Sequence, residues 1–140
     1  MTQPENSISG VAGAAIPYGA LAILDTDGKV TLPDAAADIT NVAVQKGIAV
    51  RRHHFETKAG AVDQYDVGES VELLTKGSIW ALLVADMALE AAVNVKRANG
   101  NEGEFTGTST GDTSVLPGAV VREAGTVAGD KIVGLDLNLP

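Results

Sequence analysis

Apolar residues in this chain come in short runs, each closed by residues that turn the backbone, and this punctuation limits the fold more than any other feature. Leu21-Ala22-Ile23-Leu24 and Lys29-Val30-Thr31-Leu32 flank Asp25-Thr26-Asp27-Gly28, where Gly28 supplies the positive φ of a hairpin turn. Pro33 ends the second run because it brings no N–H to a ladder. Val42-Ala43-Val44 with residues 47–50 reads as a further extended region, bulged at Gly47. Residues 71–75 and 78–84 flank Lys76-Gly77 and predict a second hairpin. Val93-Asn94-Val95-Lys96-Arg97 alternates apolar and polar side chains. At the C-terminus Val133, Leu135, Leu137 and Leu139 alternate with Gly134, Asp136 and Asn138, the period of a strand with one buried face. Short strands with turns between them predict an all-β fold, a small β-barrel or sandwich with at most one short helix. That helix is expected at residues 85–92 with Asp86 as its N-cap. Residues 99–114 hold one large apolar side chain, Phe105, and read as a long loop.

Residues 1–15 have a different character. They are rich in Gly, Ala, Ser and Asn, with Ile8 and Val11 as the sizeable apolar groups. Such a segment buries too little surface to offset an ordering cost of about 1–2 kcal/mol per residue. The expected organisation is a flexible N-terminal arm over 1–15 and one β-rich domain over 16–140. Removing residues 1–14 is then expected to leave the melting temperature nearly unchanged.

Composition narrows the function. The 140 residues carry a formal charge of −8, and an acidic surface repels phosphates, which argues against nucleic acid as the main partner. With no cysteine, disulfide scaffolds, thiolate metal sites and cysteine nucleophiles are all excluded. The longest uninterrupted apolar run, residues 79–85, is far short of the roughly 20 residues of a membrane-spanning helix. The opening Met1-Thr2-Gln3-Pro4-Glu5-Asn6 lacks the basic and apolar stretches of a secretory signal. A chain with neither a membrane nor a nucleic-acid partner is expected.

The chemical motifs fail on context. Gly107-Thr108-Ser109-Thr110-Gly111 has the spacing of a hydrolase nucleophile elbow, but no apolar strand enters it, no helix leaves it and no histidine follows it. His53 and His54 are adjacent, so on a strand they face opposite ways; His54 and Glu56 supply two ligands where a metal needs three or four. Asp25-Thr26-Asp27-Gly28 opens like a calcium loop, yet the glycine falls at the fourth position and Ala36 at the twelfth, where an EF-hand needs Gly at six and Glu at twelve. The reading assigns no catalytic residue, no metal and no cofactor.

Two features point to contact with other proteins. Residues 79–84 are apolar on both faces of a strand, so one face needs the domain core and the other a second layer or a neighbouring subunit. Trp80, the single tryptophan, is expected to pack in the core, with an interface anchor as the other reading. Arg51-Arg52-His53-His54 forms the one basic cluster of an acidic chain, suited either to solvent or to acidic groups on a partner.

The order of segments carries a family resemblance. Ala15-Ile16-Pro17-Tyr18-Gly19 opens the domain, followed by Asp27-Gly28-Lys29-Val30-Thr31-Leu32-Pro33 and Gly47-Ile48-Ala49-Val50-Arg51. Next come Gln64-Tyr65-Asp66-Val67-Gly68-Glu69-Ser70-Val71 and Leu74-Thr75-Lys76-Gly77-Ser78-Ile79-Trp80. Val93-Asn94-Val95-Lys96-Arg97, a Gly-rich loop reaching Phe105, Leu116-Pro117-Gly118-Ala119 and a closing apolar strand complete the set. Over residues 15–139 this resembles the structural cement, or head decoration, proteins of tailed bacteriophages. It departs at Leu89-Glu90-Ala91-Ala92, where that family tends to have Gly-Asp.

The resemblance implies a non-enzymatic virion protein, made in the host bacterial cytoplasm and bound to the capsid exterior as a homotrimer. Its expected partner is the phage major capsid protein, whose subunits it would bridge. Ile8, Val11, Ile16 and Tyr18 are expected to make arm contacts. Trp80 and Leu82 are expected in core or subunit packing, and Arg51, Arg52 and His53 against an acidic shell surface. The rival class is a glycan- or surface-binding β module on a phage or bacterial exterior, with Trp80, Tyr18, Tyr65, Phe55 and Phe105 as its aromatic resources.

Overall fold

The computed structural model describes residues 6–50 and 64–139. Its first unit is a closed five-stranded barrel of β1 (Ser7–Ala12), β4 (Lys29–Thr31), β3 (Leu21–Leu24), β5 (Gln45–Ala49) and β7 (Ser70–Leu74), in that order round the ring. The β3–β4 hairpin forms as the turn chemistry requires. Gly28 sits at φ 82°, and the Asp25 carboxylate accepts the N–H groups of Asp27 and Lys29 at 2.8 and 3.1 Å.

The expected arm is corrected over residues 7–12, which are a barrel strand. β1 runs antiparallel to β7, from Ser7 opposite Leu74 to Val11 opposite Ser70, and parallel to β4. Small residues are what the position demands. A Cβ on Gly10 would lie 2.6 Å from a Leu24 methyl and 2.7 Å from the Gly28 carbonyl oxygen. The segment is held by ladder hydrogen bonds along both edges, a source of order that side-chain composition does not register.

Strands β3 and β5 bury both faces, whereas β1 and β7 alternate exposed with covered positions. Ala12, Ala22, Val30, Ala49, Val71 and Leu73 fill the interior together with Ile16 and Tyr65. Leu21 and Ile48 alternate with Ala22 and Ala49 and point outward, into a second core with Leu83, Val95, Phe105, Val133 and Leu135. That second core lies under two three-stranded sheets. One is β12 (Ala119–Glu123), β13 (Ile132–Asn138) and β8 (Lys76–Leu82); the other is β10 (Phe105–Thr106), β9 (Asn94–Lys96) and β11 (Thr113–Val115). A two-stranded piece, β2 (Ile16–Pro17) with β6 (Gln64–Tyr65), completes the ladders. The fold is therefore all-β, with one short helix, α1 (Ala36–Thr40).

Several local expectations are corrected. β7 and β8 do not pair with each other: the chain leaves the barrel at Thr75, and β8 takes β13 as its partner from Lys76 opposite Asn138 to Leu82 opposite Ile132. Residues 85–92 are not helical. Met87 exchanges two 3.0 Å backbone hydrogen bonds with Gly125, and the Asp86 carboxylate accepts Val127 N–H at 2.7 Å rather than capping a helix. The helix lies instead at Ala36–Thr40, where Asp38 accepts the N–H groups of Asp34 and Ala35 and Ile39 is buried. Residues 42–44, read as extended, form the turn after α1, so β5 starts at Gln45. Residues 99–114 are less irregular than their composition suggests, since β10 and the first part of β11 pair on either side of β9.

Candidate functional site

The hydrolase-like motif lies in an exposed, irregular segment. Ser109 is exposed in a turn-rich segment pinned by Thr106 Oγ1, which accepts Thr108 N–H at 3.0 Å, and by Arg97 Nη2, which donates to Gly111 O at 2.8 Å. His53, His54 and Glu56, along with Arg51 and Arg52, lie outside the described residues. Among the described residues no three His, Asp or Glu side chains converge to hold a metal, and no helix is long and apolar enough to cross a membrane.

Three titratable groups are displaced from their ordinary behaviour, and each has a structural cause. Burial holds the Lys46 ammonium below its usual range, with Asp38 opposing; its Nζ donates to the carbonyls of Asn41 and Val44, each at 2.8 Å. That contact ties the α1–β5 connection to the barrel. Glu104 is raised by burial, against the pull of Lys131 and Lys96. Asp34 is raised by a hydrogen bond and charge repulsion from Asp38.

The remaining distinctive surface is the outward face of the β12-β13-β8 sheet. Strand alternation buries Ala81 and Leu83 and turns Trp80 and Leu82 outward. Trp80 keeps 49 % of its surface exposed and Val120 keeps 62 %. The core expectation for Trp80 is thus corrected: core placement goes to its smaller neighbours, and the indole lies opposite Gly134. Beside it Asp136 accepts Ser78 Oγ–H at 2.6 Å and faces Arg122 Nε at 3.3 Å. This face combines a large aromatic, branched aliphatics and a charged pair. Val120 and Glu123 escaped the sequence reading. The run Ala119-Val120-Val121-Arg122-Glu123 shows no apolar/polar alternation, and a bulge between Val121 and Glu123 shifts the faces further.

The residues expected to make arm contacts are dispersed. Ile16 is fully buried, Ile8 packs on the barrel core, and Tyr18 lies edge-on to Tyr65 with ring centroids 5.0 Å apart. Ile16 therefore has no surface to offer a partner. Val11 does, with 49 % of its area exposed on the outer side of β1. Leu82 is half-buried two residues after Trp80, and its N–H donates to Gly19 O.

A family model described as "Structural cement protein (E217 gp24/Pam3 gp6)" matches residues 1–138. No curated protein matches the chain. Among solved structures, a chain of "The capsid of Myoviridae Phage XM1" aligns at TM-score 0.73 and 16 % identity, covering 97 % of this chain and 84 % of that one. A chain of "The crystal structure of head fiber gp8.5 N base in bacteriophage phi29" aligns at TM-score 0.48 and 17 % identity, covering 94 % and 92 %. The first of these establishes a shared fold.

Proposed function

The chain belongs to the phage structural cement protein family, and from that premise we propose that it binds the outer surface of a tailed-phage capsid and stabilises it by bridging neighbouring major capsid protein subunits. Membership implies a structural, non-enzymatic role in the virion. The observation that carries the proposal is the extent of the family match, residues 1–138 of 140. The open face around Trp80 and Val120 supports it by offering apolar area that this chain leaves uncovered.

The mechanism is linkage. A shell filled with DNA fails where neighbouring subunits part. A module that touches two of them binds the joined state and not the parted one, so it opposes parting in proportion to its occupancy. Individual contacts can be modest. As a homotrimer, the second and third copies engage at high effective concentration, raising overall avidity by about 10²–10⁴. Synthesis in the bacterial cytoplasm and addition to the assembled exterior belong to the same reading.

Mixing the purified protein with undecorated heads and sedimenting them tests the reading. Protein is expected in the head pellet at saturable stoichiometry; protein wholly in the supernatant contradicts it.

A further inference from the structure

One groove on the outward face has a composition that specifies its occupant. It holds about 590 Å³ and runs beside Trp80, with Met87, Ala124, Gly125 and Ile132 among its lining residues. The residues between β12 and β13 stay small there for a structural reason, since a Cβ on Gly125 would collide with the Ile132 carbonyl oxygen. The result is a trough with one aromatic wall and an aliphatic lining.

Its charge is one-sided. Asp86 and Asp130 line the groove. Glu123 lies opposite Gly134 in register, and its carboxylate passes 3.5 Å from where a Gly134 Cβ would stand, on the strand position that faces Trp80. Of the nearby cations, Arg122 pairs with Asp136 at 3.3 Å, and Lys131 forms no ion pair with Asp130 among the described residues. Neither Glu123 nor Asp130 has an ion-pair partner among the described residues. A half-exposed indole with the unpaired carboxylates of Glu123 and Asp130 near it favours one kind of group, a cation on a long aliphatic stem. The stem covers the apolar lining, and the charged head lies over the ring among the carboxylates.

We propose that the Trp80 groove receives a lysine- or arginine-bearing segment of the major capsid protein. The inference rests on the capsid-binding reading above and names the partner chemistry at this face. It makes Trp80 the anchor of the contact and Glu123 and Asp130 its charge-selecting groups. Attachment through this groove therefore weakens with added salt.

Two measurements separate this proposal from the reading it rests on. In the first, wild-type protein, Trp80→Ala and the double variant Glu123→Gln/Asp130→Asn are titrated onto undecorated heads at low and high salt. Trp80→Ala is expected to weaken binding about tenfold or more. The double variant is expected to bind more weakly and to lose much of the salt dependence. Asp25→Asn/Asp27→Asn, an equal change of charge at the distant β3–β4 turn, is expected to bind like wild type. Wild-type binding that is indifferent to Trp80→Ala, or equal losses from the two double variants, overturns the groove and leaves capsid binding standing. Failure of the wild type to bind heads overturns both.

The second uses the free protein, whose single tryptophan is its own reporter. Titration with a capped deca-lysine peptide is expected to shift Trp80 emission in the wild type and not in Glu123→Gln/Asp130→Asn. An identical shift in both, or self-association of the free protein that Trp80→Ala abolishes, contradicts the assignment.

Discussion

The rings of Tyr18 and Tyr65 meet edge to face, with centroids 5.0 Å apart and planes at 88°. Tyr65 also donates its hydroxyl to the Val50 carbonyl, and the residue before it pairs with Pro17. One side chain thus joins the barrel interior, the β2–β6 ladder and the end of β5.

Removing the hydroxyl and removing the ring should differ accordingly. Tyr65→Phe removes the hydrogen bond to the Val50 carbonyl and is expected to cost about 1–2 kcal/mol. Tyr65→Ala also opens a cavity in the barrel and is expected to cost about 3–5 kcal/mol. Urea unfolding of both variants measures the two values; equal losses would mean that the ring contributes nothing beyond its hydroxyl.

β1 is expected to be indispensable to the barrel. Deleting residues 1–12 removes the strand between β4 and β7 and should lower the melting temperature sharply. Gly10→Ala is expected to cost about 1–3 kcal/mol, because its methyl meets Leu24, the Gly28 carbonyl and Val30. Thermal unfolding followed by circular dichroism reads both. An unchanged melting temperature in the deletion would restore the arm.

Glu104 gives stability a pH dependence of defined sign. Its folded-state pKa is raised above the ordinary 4.5, chiefly by burial, so the folded chain holds this proton more tightly than the unfolded one. Stability then falls as pH rises from 4.5 through the folded value, and it is recovered on acidification across that window. Asp34 contributes with the same sign from 3.8 upward, through its contact with Asp38. Glu104→Gln is expected to remove the Glu104 part of the slope while leaving that of Asp34. Chemical denaturation at steps above pH 4.5 checks it; a slope unchanged by the substitution contradicts the assignment.

Ser109→Ala is expected to change stability by no more than about 0.5 kcal/mol and to leave head binding intact, since the serine is exposed and neither histidine follows it in sequence. Sedimentation with heads and a melting curve decide this. A loss of binding would make the 107–111 segment part of the contact.

The sequence was most legible where the deciding interaction is local. The Asp25–Gly28 turn closes on its own carboxylate, and the alternation of Val133, Leu135 and Leu137 reports a one-sided strand wherever its partner lies. It was least legible where the partner is distant. Lys76-Gly77 has the residues of a hairpin turn, but β8 pairs with β13, and a contact such as Ser78 to Asp136 leaves no trace in neighbouring residues. Likewise nothing near Gly10 shows that three other residues crowd it, so its composition looked like that of a loose terminus. Trp80 illustrates the same limit at the candidate site. Its apolar run signalled a second buried face, yet which residues turned outward depended on a register set by residues 132–138.

A protein that holds neighbouring capsid subunits together must raise the temperature at which a filled shell opens. DNA-filled heads lacking it can be heated with increasing amounts of the purified chain, while the temperature of DNA release is recorded. Bridging predicts that this temperature climbs with protein concentration until the sites are filled. Heads that coat fully with protein yet release DNA at the same temperature as bare ones would contradict it.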